Sequence, residues 1–441
     1  MADCFEISAT FPAGFGNRFE LMTFRACFIA LLLVWFGPAV PTLAGGSGGV
    51  NAPQQLTKPY VVLISIDGFR WDYPDLFELP ALKGIISRGF RAERLVPVFP
   101  TLTFPNHYSI ATGLYPDRHG LVGNRFPVPE HGLWYALGDR TTVENGRLYH
   151  GTPLWVLAEQ QGMVSAAYFF VGTEADIQGI RPSHWRSYSK EVPGDARVDQ
   201  VLSWLGEAPS TRPHFITLYF EEVDDHSHWS GVGSREAVAA MHRVDGYLDR
   251  LVKGLQDLPH GNEVYLILVS DHGQAPYIDR SEAFILEDHI DLKGIRTVGE
   301  GSYCFLYFSE QERERISLVQ QIIQARWAQG DAMRPSETPA HWRIGSNDRW
   351  PDLILSPRPG HAVARTRERA ERLSAGAHGW SPDDPSMHGI AIGMGPGLRA
   401  DHRLGPLESV DIFPLIAQLL GLESPKGLDS HPERTSNALK P

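Results

Sequence analysis

Tyr60-Val61-Val62-Leu63-Ile64-Ser65-Ile66-Asp67-Gly68 is the stretch on which the reading of the fold turns. A strand with one wet face alternates apolar and polar residues. This run is apolar at every position but Ser65, so it reads as a strand buried on both faces, the condition of a parallel sheet covered by helices on each side. It stops at Asp67-Gly68, a turn pair. Further runs of this kind lie at 164–170, 214–220 and Val264–Val269, with shorter candidates at 352–355 and 390–392. Helical spacing of apolar residues fills the intervals at 76–86, 234–255 and 410–420. Strands alternating with helices predict an α/β sandwich with a largely parallel central sheet.

Three of these strands end in similar chemistry. Asp67 follows the first, Asp224 the one at 214–220, and Asp271-His272 the one at Val264–Val269. Parallel sheets gather ligands at the carboxyl ends of their strands, so these acidic groups can converge. Asp224 and His228 stand four apart, which on one helical turn points both to one side. His378 lies in the loop-like Gly376-Ala377-His378-Gly379. Three Asp and three His form a mixed oxygen and nitrogen donor set that suits zinc or manganese better than magnesium or calcium. In Phe99-Pro100-Thr101-Leu102-Thr103-Phe104-Pro105-Asn106-His107, Pro105 suits the first turn of a helix. Thr103 then sits at or near an N-cap, where the helix dipole favours phosphate and stabilises an alkoxide.

Composition bounds the partners. The 441 residues are 42% apolar and 21% charged, with a formal net charge of −12. That balance argues against a nucleic-acid polymer as the usual partner. A small phosphate ester stays compatible, because bound divalent cations invert the field of an acidic site. At the N-terminus, Arg25, the apolar run 26–36 and Thr42-Leu43-Ala44 follow the order of a secretory signal. The reading is a signal peptide over 1–44, with Met22 as a candidate true start, then a flexible Gly-rich linker over 45–58. The apolar run is too short for a stable membrane span. Cys304 is the one cysteine after the signal, so no intramolecular disulfide can form. A disulfide-free exported enzyme of this size fits a secreted or periplasmic place, a bacterial periplasm above all. A single catalytic domain is expected over 59–425, with 274–359 as an insertion or cap and 426–441 as a C-terminal tail. Oligomeric state is not legible.

The motifs together resemble the nucleotide pyrophosphatase/phosphodiesterase family of the alkaline phosphatase superfamily. The likeness runs through Leu63 to Arg70, Phe99 to His107, Thr112-Gly113-Leu114-Tyr115-Pro116, Glu174 to Gly179, Asp224 to His228, Ser270-Asp271-His272-Gly273 and His378-Gly379. It implies an alkaline-phosphatase-like α/β/α sandwich and two zinc ions per chain. One ion would be held by Asp224, His228 and His378. The other would be held by Asp67, Asp271 and His272, with Thr103 on the same metal. Thr103 would be the nucleophile and form a covalent threonyl intermediate. Asn124 would hydrogen-bond a non-bridging phosphate oxygen, joined by a backbone N–H beside Thr103. Phe104 and Tyr188 would line the substrate side.

The resemblance also implies a small phosphodiester or nucleotide as the substrate partner, with release of a nucleoside monophosphate. A lysophospholipid or choline-ester phosphodiesterase is the alternative within the family. A catalytically silent metal-binding envelope protein is the alternative outside it. A monoesterase is disfavoured by the neutral Asn124. Departures from the family pattern fall at His226 and Ser227, at Phe170-Val171-Gly172-Thr173 and at Trp380-Ser381-Pro382. His388 is a fallback ligand.

Overall fold

The long apolar runs become strands of one eight-stranded sheet in the computed structural model, which describes residues 49–440. The signal-peptide reading of 1–44, the candidate start at Met22 and the first part of the linker lie outside the described residues. In chain order the strands are β1 Tyr60–Ile66, β2 Gly89–Ala92, β3 Ser165–Tyr168, β4 His184–Trp185, β5 Phe215–Phe220, β6 Val264–Val269, β7 Ala391–Met394 and β8 His402–Leu404. Their order across the sheet is β8-β2-β7-β6-β1-β5-β3-β4. β1 lies between β5 and β6 and is parallel to both, with Val61 opposite Phe215 and Tyr265. Only β7 runs against its neighbours β2 and β6. The expected largely parallel sandwich is therefore the observed one.

Helices cover both faces. The ones that matter here are α1 Pro80–Ser87, α2 Thr103–Thr112, α3 Gly194–Leu205, α4 Glu222–Ser230, α5 Arg235–Gln256 and α6 Ile412–Leu420. All seven residues of β1 are buried. Val61 and Leu63 join a core with Tyr108 and Ile110 of α2 and Ile412 and Ile416 of α6. Val62, Ile64 and Ile66 join the opposite core with Leu82 of α1, Val201 of α3 and Val244 and Leu248 of α5. Each such side chain contributes roughly 1.5–3 kcal/mol on full burial, so a one-residue slip of β1 would exchange both faces at once.

Several boundaries differ from the sequence reading, for local reasons. The helix expected over 76–86 splits, because Pro80 starts α1 and Tyr73–Leu76 forms a separate turn. Proline has no N–H to donate and fits the first helical position. Ser234 caps α5 by accepting from the Ala237 N–H at 3.1 Å. The helix read at 410–420 begins at Ile412, after a short 3-10 turn Ser409–Asp411.

The strand near 352–355 does not enter the main sheet. It becomes Leu353–Pro357, in a separate antiparallel sheet with Ile295–Val298, Cys304–Phe308 and Gly330–Met333. That small sheet packs on the helix Ile316–Arg326 around Leu306, Ile323, Trp327 and Leu355. It accounts for most of the irregular segment 274–359. Cys304 is buried within it, and burial pushes its thiol pKa up.

Two end segments are packed rather than loose. The Asn51 side chain donates to the carbonyls of Pro209 and Arg212 at 3.0 and 2.8 Å and accepts from the Val164 N–H at 2.7 Å. That anchoring differs from a flexible linker up to residue 58. Within 426–440, Ala438 is buried and the Lys440 N–H donates to the Gly397 carbonyl at 2.9 Å.

Candidate active site

The register of three parallel strands brings the acidic residues together. Ile66 of β1 is paired with Phe220 of β5, and Ser65 with Val269 of β6. Asp67, the start of α4 and Asp271 therefore leave the sheet at one edge. α4 begins right after β5, and its helical spacing sets Asp224 and His228 one turn apart, with Asp224 Oδ1 3.5 Å from His228 Nε2. His378 arrives from a distant loop, its Nε2 3.8 Å from the same Asp224 oxygen. Asp67, Asp271 and His272 form a second, buried group, with His272 Nε2 3.0 Å from Asp271 Oδ2 and 3.6 Å from Asp67 Oδ1. Within each group the potential ligand atoms lie within 4.8 Å of one another.

Both groups fit a divalent ion by their hydrogen bonds as well as their spacing. His228 Nδ1 donates to the Gly376 carbonyl at 2.8 Å, His378 Nδ1 to the Thr101 carbonyl at 2.8 Å and His272 Nδ1 to the Gly273 carbonyl at 3.0 Å. Each such bond fixes the tautomer and leaves the Nε2 lone pair facing the group, the arrangement of a metal-ligating histidine. Asp67 Oδ1 and Asp271 Oδ2 are buried without a hydrogen-bond donor. An unpaired buried carboxylate oxygen is costly unless a cation meets it. Burial, with Asp271 and Asp224 nearby, raises the Asp67 pKa well above the usual carboxylate range. Burial likewise raises Asp224. Burial opposes charge on Asp271 too, yet His272 and His107 beside it hold it well below that range. His378 is held well below the usual histidine value by burial and by His272, whose ring stacks on its own at 3.6 Å, and by His228. Bound cations would offset the crowding of three carboxylates.

Thr103 is the first residue of α2, one position later than a cap, with Leu102 as the extended N-cap. Its Oγ1 lies 3.4 Å from His272 Nε2. Two residues of the same helix hold that turn. Asn106 accepts from the Val98 N–H at 2.7 Å and donates to the carbonyls of Pro100 and Leu102. His107 Nδ1 donates to the Thr103 carbonyl at 2.9 Å, while its Nε2 accepts from Ser65 Oγ at 2.8 Å.

Asn124 lies beside this turn and its Oδ1 accepts from the Phe104 N–H at 3.0 Å. That bond turns the Asn124 amide nitrogen outward. The Phe104 backbone N–H is taken by Asn124, so the Thr103 N–H is the first-turn donor left to an anion.

A cavity of about 310 Å³ opens over Thr103, Asn124, Asp224, His228 and His378. Phe104, Phe169 and Tyr188 give it aromatic walls, and Arg140, Glu174 and Lys190 give it charged ones. Its size suits a small ligand. Phe104 and Tyr188 both line this cavity.

The alternative ligands stand apart. His226 Nε2 accepts from the Arg243 guanidinium at 2.8 Å, and His388 Nε2 donates to the Pro382 carbonyl at 2.8 Å. Neither belongs to either group. Ser227 is buried.

Sequence reasoning missed four supporting residues. Tyr219 donates to Asp67 Oδ2 at 2.6 Å, and the Gln274 amide donates to Asp224 Oδ1. Arg140 pairs with Glu174, and Lys190 binds Asp225 at 2.7 Å. Tyr219 and Gln274 stand close to the ligand motifs in the chain, and that proximity is their only signal. Arg140 and Lys190 have none.

Comparison with known proteins bears on these observations. The family model described as type I phosphodiesterase / nucleotide pyrophosphatase matches residues 61–381. The chain is 31% identical over 399 residues to ectonucleotide pyrophosphatase/phosphodiesterase family member 1 of Rattus norvegicus, covering 87% of this chain and 43% of that protein. It is 30% identical to a venom phosphodiesterase of Crotalus durissus collilineatus, covering 86% of this chain and 46% of that protein. The chain thus spans less than half the length of these curated relatives. The solved structure of murine ectonucleotide pyrophosphatase/phosphodiesterase 5 matches the fold with a TM-score of 0.81 at 24% identity, covering 86% of this chain and all of that one.

Proposed function

Because the chain belongs to the type I phosphodiesterase / nucleotide pyrophosphatase family, we propose that it hydrolyses nucleotide phosphodiester or pyrophosphate bonds through a covalent intermediate on Thr103, releasing a nucleoside monophosphate. The observation that carries this reading is Thr103 at the first turn of α2, 3.4 Å from His272, within a cavity that also reaches Asp224, His228 and His378. Two zinc ions are the proposed cofactors, held by Asp224, His228 and His378 and by Asp67, Asp271 and His272. Bound there, they supply activation of the threonine hydroxyl and neutralisation of charge on the attacking and leaving oxygens.

The chain's own groups do the rest. Thr103 Oγ1 forms the bond to phosphorus as the bond to the leaving oxygen breaks. Water then cleaves the threonyl ester and restores the hydroxyl. The Asn124 amide nitrogen and the Thr103 N–H donate to non-bridging oxygens at the positive end of α2. A nucleobase between Phe104 and Tyr188 gains roughly 1–3 kcal/mol by stacking. Aromatic lining from Phe104, Phe169 and Tyr188, together with Arg140, Glu174 and Lys190, supports a nucleotide over a lipid. The murine relative has been solved as an inactive variant in complex with AMP, which agrees with that choice. The N-terminal signal pattern supports export, and no helix among the described residues is long and apolar enough to cross a membrane.

The test compares bis-p-nitrophenyl phosphate with p-nitrophenyl phosphate on the zinc-loaded protein and its Thr103→Ala variant. The expected result is a diesterase that loses its activity in the variant while keeping fold and metal. A monoester preference, or a variant as active as the parent, would overturn the reading.

A further inference from the structure

Tyr188 lines the catalytic cavity, yet its own backbone belongs to no regular element. β4 ends at Trp185 and α3 begins at Gly194, and Tyr188 lies in the irregular stretch between them. A side chain on such a stretch keeps its place through particular bonds rather than through a ladder. Its ring meets Phe169 edge-on, 5.2 Å between centroids, and Tyr219 at 6.1 Å. Two residues on, Lys190 reaches Asp225 at 2.7 Å, an exposed ion pair of small worth.

Glu174 supplies the directional bond. Its Oε1 accepts from the Tyr188 backbone N–H at 3.1 Å, while its Oε2 accepts from Arg140. The side chain is buried, and the Glu174 carbonyl accepts from Arg181 Nε at 2.8 Å. Glu174 also stands on a stiff support. The Thr173 N–H and hydroxyl both bond the Phe170 carbonyl, at 3.3 and 2.8 Å. Gly172 in the same turn has a φ of +91°, and a Cβ there would come within 3.3 Å of Trp155 and Tyr108.

The charge of Glu174 needs a reason. A carboxylate lining a cavity for a phosphate ester repels its ligand unless it is engaged elsewhere. Here both carboxylate oxygens are engaged within the protein, one by Arg140 and the other by the backbone of the loop that carries Tyr188.

We propose that Glu174 is a positioning residue for the substrate's base: it fixes Tyr188 where the nucleobase stacks, and it acts on the ligand through that ring alone. The inference rests on the nucleotide reading above and adds to it what holds the aromatic wall in place.

The experiment is calorimetric titration of the zinc-loaded protein with AMP and with ribose 5-phosphate, which lacks the base. Glu174→Ala should weaken AMP by roughly fivefold or more, the worth of a hydrogen bond to a charged group, and leave ribose 5-phosphate nearly unchanged. Tyr188→Ala sets the ceiling, because a lost stack weakens binding roughly 5- to 150-fold. In the Tyr188→Ala background, adding Glu174→Ala should cost no more than about twofold, since residues that act as one unit are not additive.

Equal weakening of AMP and ribose 5-phosphate would make Glu174 a support of the whole site and overturn the proposal. A full further loss in the Tyr188→Ala background would mean that the carboxylate touches the ligand itself, and would overturn it too. Thermal unfolding checks each variant. If Glu174→Ala does not fold, Glu174→Asp keeps the charge beside Arg140, draws the carboxylate back from the Tyr188 N–H and carries the same comparison. A parent protein that prefers AMP to ribose 5-phosphate yet cleaves no diester would strike the phosphodiesterase reading alone. A parent that binds the two equally would strike the stacking site, and this proposal with it.

Discussion

Tyr219→Phe removes one oxygen and nothing else from the buried side of the candidate site. The Tyr219 hydroxyl donates to Asp67 Oδ2 at 2.6 Å, the length of a charge-assisted bond. Its ring contacts His107 and Tyr188, and phenylalanine keeps those contacts. A hydrogen bond to a charged group is worth about 1.5–3 kcal/mol. If that support goes to holding Asp67 on its metal, affinity falls by roughly 10- to 100-fold, the usual penalty for losing a partner of a metal ligand. The loss should be confined to one of two sites, because Asp224 is oriented by Gln274 instead. Zinc titration in competition with a chromophoric chelator resolves the two steps. Expected are one weakened step, one unchanged step, and activity restored by excess zinc. Two unchanged steps, or weakening of the site at Asp224, His228 and His378, would refute the argument that Tyr219 acts through Asp67.

Other outcomes follow from the same structure. Asn124→Ala should lower kcat on a diester by about 10²–10³ with little change in folding stability, as expected for loss of one donor to the developing charge; steady-state kinetics beside thermal unfolding checks both. Glu221→Ala should destabilise by roughly 3–5 kcal/mol, because Arg197 is buried and paired with Glu221 at 2.6 Å and would be left uncompensated; urea denaturation measures it. Burial pushes His119 down from 6.5 to about 3, with its Nδ1 accepting from the Leu121 N–H at 3.1 Å. Between those pH values the unfolded chain binds the proton and the folded chain does not. Stability is therefore full above about pH 6.5 and is lost on acidification at up to about 1.4 kcal/mol per pH unit from this group. His119→Gln should flatten the pH 5.0 to 6.5 dependence, and an unchanged slope in urea midpoints would contradict this.

Much of the architecture could be read along the chain. The apolar run at Tyr60–Ile66, interrupted at Ser65 alone, meant burial on both faces, and both faces are buried. The four-residue spacing of Asp224 and His228 meant one helical turn, and α4 supplies it. Ser234 read as the start of a helix and caps one. These are local facts: periodicity, spacing and capping report on residues within a turn or a strand of one another. The strand near 352–355 failed that logic, because an apolar run tells of burial but not of which sheet buries it.

Only the tertiary structure decided the rest. His378 reaches Asp224 across more than 150 positions, and the family likeness, not spacing, grouped it with Asp224 in advance. The outward turn of Asn124 depends on the Phe104 N–H, and the support of Asp67 on a tyrosine of the neighbouring strand. The bond from the Tyr188 N–H to Glu174 joins two loops, each of which is an ordinary stretch by itself. By itself the sequence determined which residues are buried and which carry donors or charge. Which of them meet was decided by sheet register and loop packing, since contacts between distant segments leave no period in the chain that makes them.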